Sequence, residues 1–98
     1  MDLEVKWTKR AQLNLEYTAS YIEKEWGSRS AQKFIRKVNR LLETLKKQPH
    51  IGKIAVKEKE IRAFVFSRQN KVFYRIRSNY IIILAIFDNR MDSKKHPK

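Results

Sequence analysis

The stretch IRAFVFSRQNKVFYRIRSNYIIILAIF, from Ile61 to Phe87, decides the fold. Ile61, Ala63 and Val65 alternate with Arg62, Phe64 and Phe66. Val72, Tyr74 and Ile76 alternate with Phe73, Arg75 and Arg77. Side chains on a strand point to opposite faces in turn, so this period of two predicts two strands. Ser67-Arg68-Gln69-Asn70 between them reads as a hairpin turn, and Ser78-Asn79 as a second break. Tyr80 to Phe87 is then continuous and β-branched, the pattern of a central strand buried on both faces. Three strands joined by short turns predict an antiparallel meander.

Upstream the period changes. Ala31, Phe34, Ile35, Val38, Leu41, Leu42 and Leu45 repeat at helical spacing, with Ser28 as the expected cap and Pro49 as a stop. The other face of this helix carries Arg29, Lys33, Arg36, Lys37 and Arg40, which charge alone marks only as a solvated surface. Before it, Ala11, Leu15, Thr18, Ile22 and Trp26 form one stripe, capped by Thr8 and ended by Gly27. Leu13, Tyr17 and Tyr21 lie to the side, read as extra core in preference to a partner-facing surface. The short connection makes the two helices an antiparallel hairpin. Leu3, Val5 and Trp7 alternate with Glu4 and Lys6 as a first short strand. Lys53 to Glu60 is polar and basic, anchored by Ile54 and Val56, with no strand expected. The expectation is one α+β domain over residues 1–98: a strand, a helical hairpin, a three-stranded antiparallel meander, and a polar tail from about 91 to 98.

Charge narrows the partners. Lys and Arg number 23 against 10 Asp and Glu, a net charge of +13, with the larger excess after residue 52. Such a balance favours nucleic acid or an acidic protein. The chain has no cysteine, which removes disulfides and thiolate chemistry. His50 and His96 lack partners at metal spacing, so neither metal nor cofactor is expected. The two isolated glycines, Gly27 and Gly52, make no phosphate loop. The longest apolar run is far below the roughly 20 residues needed to span a bilayer. The start lacks a secretory pattern, so a cytoplasmic protein is expected, with no membrane partner.

Chemistry then rests on cations. Arg62, Arg75 and Arg77 lie on strands, Arg90 follows the last one, and Lys57 precedes them. A guanidinium suits phosphate because its fork makes two parallel charge-assisted bonds. The meander puts Arg62 and Arg75 on neighbouring strands, as a joint phosphate site would need. Tyr74 reads as core before site, because it alternates with Val72 and Ile76.

Several fragments in order resemble the RelE/ParE superfamily of toxins from bacterial type II toxin–antitoxin modules. They are Ala11 with Asn14-Leu15, Tyr21-Ile22 with Trp26-Gly27, Ala31 with Phe34-Ile35, Pro49 with Gly52, Arg62, Tyr74-Arg75-Ile76, and Phe87-Asp88 with Arg90. The resemblance runs from Val5 to Asp92 and is closer to the ParE branch. It implies a growth inhibitor and one of two targets. ParE-like members poison DNA gyrase; RelE-like members cut messenger RNA on the ribosome. For cleavage, Arg62 and Arg75 would supply charge, with Lys57, Glu58, Lys59, Tyr74 or His96 as acid or base. Where nuclease members carry a reactive aromatic or histidine, this chain reads Phe87-Asp88-Asn89-Arg90, which favours the gyrase reading. The resemblance also implies a cognate antitoxin, expected to be acidic, to fold on binding and to touch Leu13 and Tyr17.

Overall fold

The chain builds one strand more than its sequence indicates. The computed structural model describes residues 3–91. In order these form β1 (Glu4–Trp7), α1 (Lys9–Trp26), α2 (Ser28–Lys47), β2 (Lys53–Val56), β3 (Ile61–Ser67), β4 (Asn70–Arg77) and β5 (Tyr80–Asp88). All five strands join one sheet, in the order β1-β5-β4-β3-β2. The expected meander is β3-β4-β5, antiparallel throughout, and β1 runs parallel to β5. The added strand, β2, pairs antiparallel with β3 at the sheet edge. Every one of its residues is exposed, so it has no buried face to write a period of two into its sequence.

Local chemistry sets the ends of the helices. Thr8 Oγ1 accepts from Ala11 N at 3.0 Å, the expected cap, and also donates to Ile83 O at 3.2 Å. Gly27 adopts φ +94°, backbone space that favours glycine. Its N–H donates to Glu23 O, closing α1, and its carbonyl accepts from Ala31 N, opening α2. Ser28 therefore does not cap α2. It is the first helical residue, and its hydroxyl donates to Glu23 Oε2 at 3.1 Å.

The core lies between the hairpin and one sheet face. Ala11, Ile22, Phe34, Val38, Leu41 and Leu45 from the helices meet Val72, Tyr74, Ile81, Ile83 and Ile86 from β4 and β5. Full burial of an aliphatic side chain of this size contributes about 1.5–3 kcal/mol. Strand β5 departs from the expectation of burial on both faces: Ile81, Ile83 and Ile86 are buried, Ile82 and Leu84 half-buried, and Phe87 exposed. Only one face of β5 is sealed by helices. Past Ile83, where β1 ends, α1 takes over its free edge, and Asn14 Oδ1 accepts from Ile86 N.

Candidate functional site

Strand register separates the two arginines that the sequence brings together. Arg62 stands opposite Tyr74, on the face covered by the helices. Arg75 is the next residue along β4, so it points to the other face, opposite Ile82. The expected joint phosphate site of Arg62 and Arg75 is not formed.

Arg62 is engaged with backbone. Its Nη1 donates to Gly52 O at 2.6 Å and to His50 O at 3.3 Å, holding the loop that leaves α2. Tyr74 fastens the same loop from inside. Its hydroxyl donates to Pro49 O at 2.7 Å and accepts from Gly52 N at 2.9 Å. Burial pushes the Tyr74 phenol above its ordinary pKa, and the Gly52 N–H and the Arg62 charge offset this only in part. At 0% exposure, Tyr74 is the core residue the sequence preferred. Beside this loop, a cavity of about 300 Å³ gathers His50, Ile54, Glu60, Arg62 and Ile76. His50 and Glu60 were not among the candidates, since nothing in their spacing links them to Arg62.

The uncovered face carries Arg75 and Arg77 on β4. Around them, Lys6 lies over the Tyr80 ring at 4.3 Å and Lys71 over Phe73 at 5.8 Å. Lys71 sits in a cross-strand row between Val65 and Phe87, both exposed apolar residues. Nε of Arg75 is buried without a hydrogen-bond partner. Lys57, Glu58 and Lys59 occupy the exposed turn between β2 and β3.

Arg90 is held at the far end of β5. Its Nε and Nη2 donate to Asp88 at 3.0 and 2.9 Å, and its guanidinium lies 5.2 Å over Trp26. Trp26, expected within the buried stripe of α1, is 49% exposed beneath it. Asp88 also accepts from Asn70 Nδ2 at 2.7 Å, and Ser67 Oγ donates to Asn70 Oδ1. This buried polar chain was not foreseen; its signal was an acid closing an apolar strand two residues before an arginine.

Leu13 and Tyr17 are exposed by 56% and 62%, which overturns the core reading for both. They lie one turn apart on the outer side of α1. Tyr21 is half-buried, edge-on to Trp26 at 6.0 Å. His96 lies outside the described residues. Among the described residues, no group of His, Asp or Glu side chains gathers to hold a metal ion. No helix there is long and apolar enough to cross a membrane.

A parallel first strand, a helical hairpin and an antiparallel meander with a mostly open outer face define a RelE/ParE-like toxin fold. Residues 5–93 match the family model for the ParE toxin of type II toxin–antitoxin systems, parDE. The chain belongs to that family, and is a toxin of the RelE/ParE superfamily. No curated protein matches its sequence. Among solved structures, it is similar to the chromosomal ParDE system of P. aeruginosa, with TM-score 0.74 and 18% identity over 88% of this chain and 95% of that one. It is also similar to the YoeB/ParE toxin of Agrobacterium tumefaciens, with TM-score 0.63 and 12% identity over 88% and 98% of the two chains. A third similar structure is the RelBE2 toxin–antitoxin complex of Mycobacterium tuberculosis, with TM-score 0.55 and 18% identity over 90% and 99%. At these identities the likeness is one of fold.

Proposed function

We propose that the chain inhibits DNA gyrase by binding, without cutting nucleic acid. The observation that carries this reading is the separation of Arg62 and Arg75 onto opposite faces of the sheet. Cleavage by 2′-hydroxyl attack needs cations, a base and an acid converging on one phosphate. Arg62 is engaged with two carbonyls, and the Tyr74 hydroxyl is buried between Pro49 and Gly52. A binding inhibitor needs only a surface. The uncovered sheet face offers Arg75 and Arg77 beside exposed Val65 and Phe87, with Lys57 at one margin and Arg90 at the opposite end of the molecule.

Purified toxin is tested in parallel on gyrase with relaxed plasmid and on translating ribosomes with a labelled messenger. Lost supercoiling with an intact messenger is the expected result; a cut messenger with normal gyrase overturns it. The Arg75→Ala/Arg77→Ala variant is expected to inhibit gyrase at least tenfold less, with stability lowered by about 1 kcal/mol, because Arg77 is exposed but the Arg75 side chain is half-buried. Arg62 is a poorer probe, because its removal also frees the loop after α2. The ribonuclease reading retains one specific observation, the shared cavity of His50, Glu60 and Arg62. If the messenger is cut, those three and His96 are the residues to change first.

The partner in this reading is a cognate antitoxin, an acidic segment that orders as it covers the toxin. Its apolar anchors would rest on Leu13 and Tyr17 of α1. Leu13→Ser/Tyr17→Ser is expected to weaken antitoxin binding at least tenfold by calorimetry. Its melting temperature is expected to stay within a few degrees of the parent, since neither side chain is buried.

A further inference from the structure

The positive charge is concentrated on one helix. Helix α2 carries seven basic residues and one acidic residue, whereas α1 carries three of each. At 3.6 residues per turn, Arg29, Lys33, Arg36, Arg40 and Lys47 fall within an arc of about 60°. All five are exposed, on the side away from Phe34, Val38, Leu41 and Leu45. The one carboxylate on α2, Glu43, is bridged to Lys46 at 3.3 Å, and Glu23 of α1, which shares a cavity with Gln32 and Arg36, accepts from the Ser28 hydroxyl at one flank of the ridge.

The rest of the exposed surface of α2 decides what kind of partner fits. It consists of Ser28, Gln32, Asn39 and Glu43, with no large hydrophobic side chain among them. Protein interfaces depend on buried aromatic or aliphatic anchors, and the exposed ones of the hairpin, Leu13, Tyr17 and Trp26, are all on α1. A cationic surface with amides and no apolar centre has the composition that meets phosphate backbone. Twenty helical residues extend about 30 Å, comparable to about nine base pairs of B-form DNA. The B-form major groove is wide enough to receive a helix, whereas the major groove of duplex RNA is deep and narrow.

We infer that the outer ridge of α2 grips the phosphates of duplex DNA without reading its sequence, through Arg29, Lys33, Arg36, Arg40 and Lys47. This surface is separate from the uncovered sheet face, and the inference does not depend on gyrase being the target.

The test is fluorescence anisotropy of a labelled DNA duplex of roughly 20 base pairs, titrated with the full chain between about 50 and 200 mM salt. Five phosphate contacts give a plot of log K against log salt with a slope of about −4 to −5. Arg29→Gln/Arg36→Gln/Arg40→Gln reduces that slope by about three, whereas Lys9→Gln/Arg10→Gln/Lys24→Gln, which removes equal charge from α1, changes it by less than about one. Circular dichroism checks that both variants fold. If the triple variant does not, Arg36→Gln alone reduces the slope by about one. Equal reductions from the α1 and α2 variants overturn the inference. So does tighter binding of an RNA duplex of the same sequence, or binding of polyglutamate but not DNA in a ridge-dependent manner.

Discussion

Asp88→Asn is expected to lower stability by about 2–3 kcal/mol at neutral pH. The Asp88 side chain is fully buried and accepts from four groups: Arg90 N, Nε and Nη2, and Asn70 Nδ2. An asparagine keeps the shape but removes the charge, and turns one acceptor into an NH₂ that faces those donors. The cost falls short of the roughly 3–5 kcal/mol for breaking a fully buried pair, because the Arg90 side chain remains partly exposed and can be rehydrated. The effect also carries a pH signature. Burial alone would push the Asp88 carboxyl up, but the hydrogen bonds from Arg90 and Asn70 outweigh it and hold its pKa below the ordinary value. A carboxylate with a lowered folded pKa contributes stability above its unfolded pKa of about 3.9, and loses that contribution as pH falls through the folded value. Melting curves of the parent and Asp88→Asn should therefore differ by a constant amount above about pH 5 and converge below about pH 4. An undiminished gap at about pH 3 would rule out the ionised carboxylate as the source.

Gly52→Ala is the second large effect, at about 3 kcal/mol. A Cβ there would lie 2.8 Å from the Tyr74 hydroxyl, 2.9 Å from its Cε1 and 3.0 Å from Ala63 O. The ring cannot swing away, because Tyr74 is fully buried. Overpacking of this kind typically costs about 1–3 kcal/mol, and a displaced hydroxyl adds about 1 kcal/mol for each bond it loses, here to Pro49 O and Gly52 N. Urea denaturation of Gly52→Ala, Tyr74→Phe and the double variant measures the coupling. The double variant should recover part of the loss, since it has no hydroxyl to collide with. Strict additivity would mean that the collisions Tyr74→Phe leaves in place, with the ring Cε1 and with Ala63 O, dominate.

The helical hairpin and the meander were legible because their signals are local. Thr8, the turn at Arg68-Gln69 and the break at Ser78-Asn79 all depend on chemistry within a few residues. The pairing of faces was not legible in that way. Arg62 and Arg75 seemed adjacent because their strands are, but a single step of register puts them on opposite sides. Leu13 and Tyr17 read as core because helical spacing fixes which residues share a stripe, and not how α1 is rotated against the sheet. That rotation depends on Thr8 and Asn14 bonding to Ile83 and Ile86, more than 70 residues away. The basic side of α2 was visible as a pattern, but its meaning depends on what surrounds it in space.

The parallel pairing of β1 with β5 also governs when the molecule can exist. The first strand has its partner only in the last, from Glu4 against Tyr80 to Trp7 against Ile83. Such distant pairing carries a large loop-closure cost and belongs to slowly folding topologies. A nascent chain that has reached only β4 lacks the strand that joins β1 to the rest of the sheet and three of the sheet's five buried core residues. The sheet of a harmful protein therefore closes only once β5 has been made, and that delay is an interval in which a neutralising partner can already be waiting.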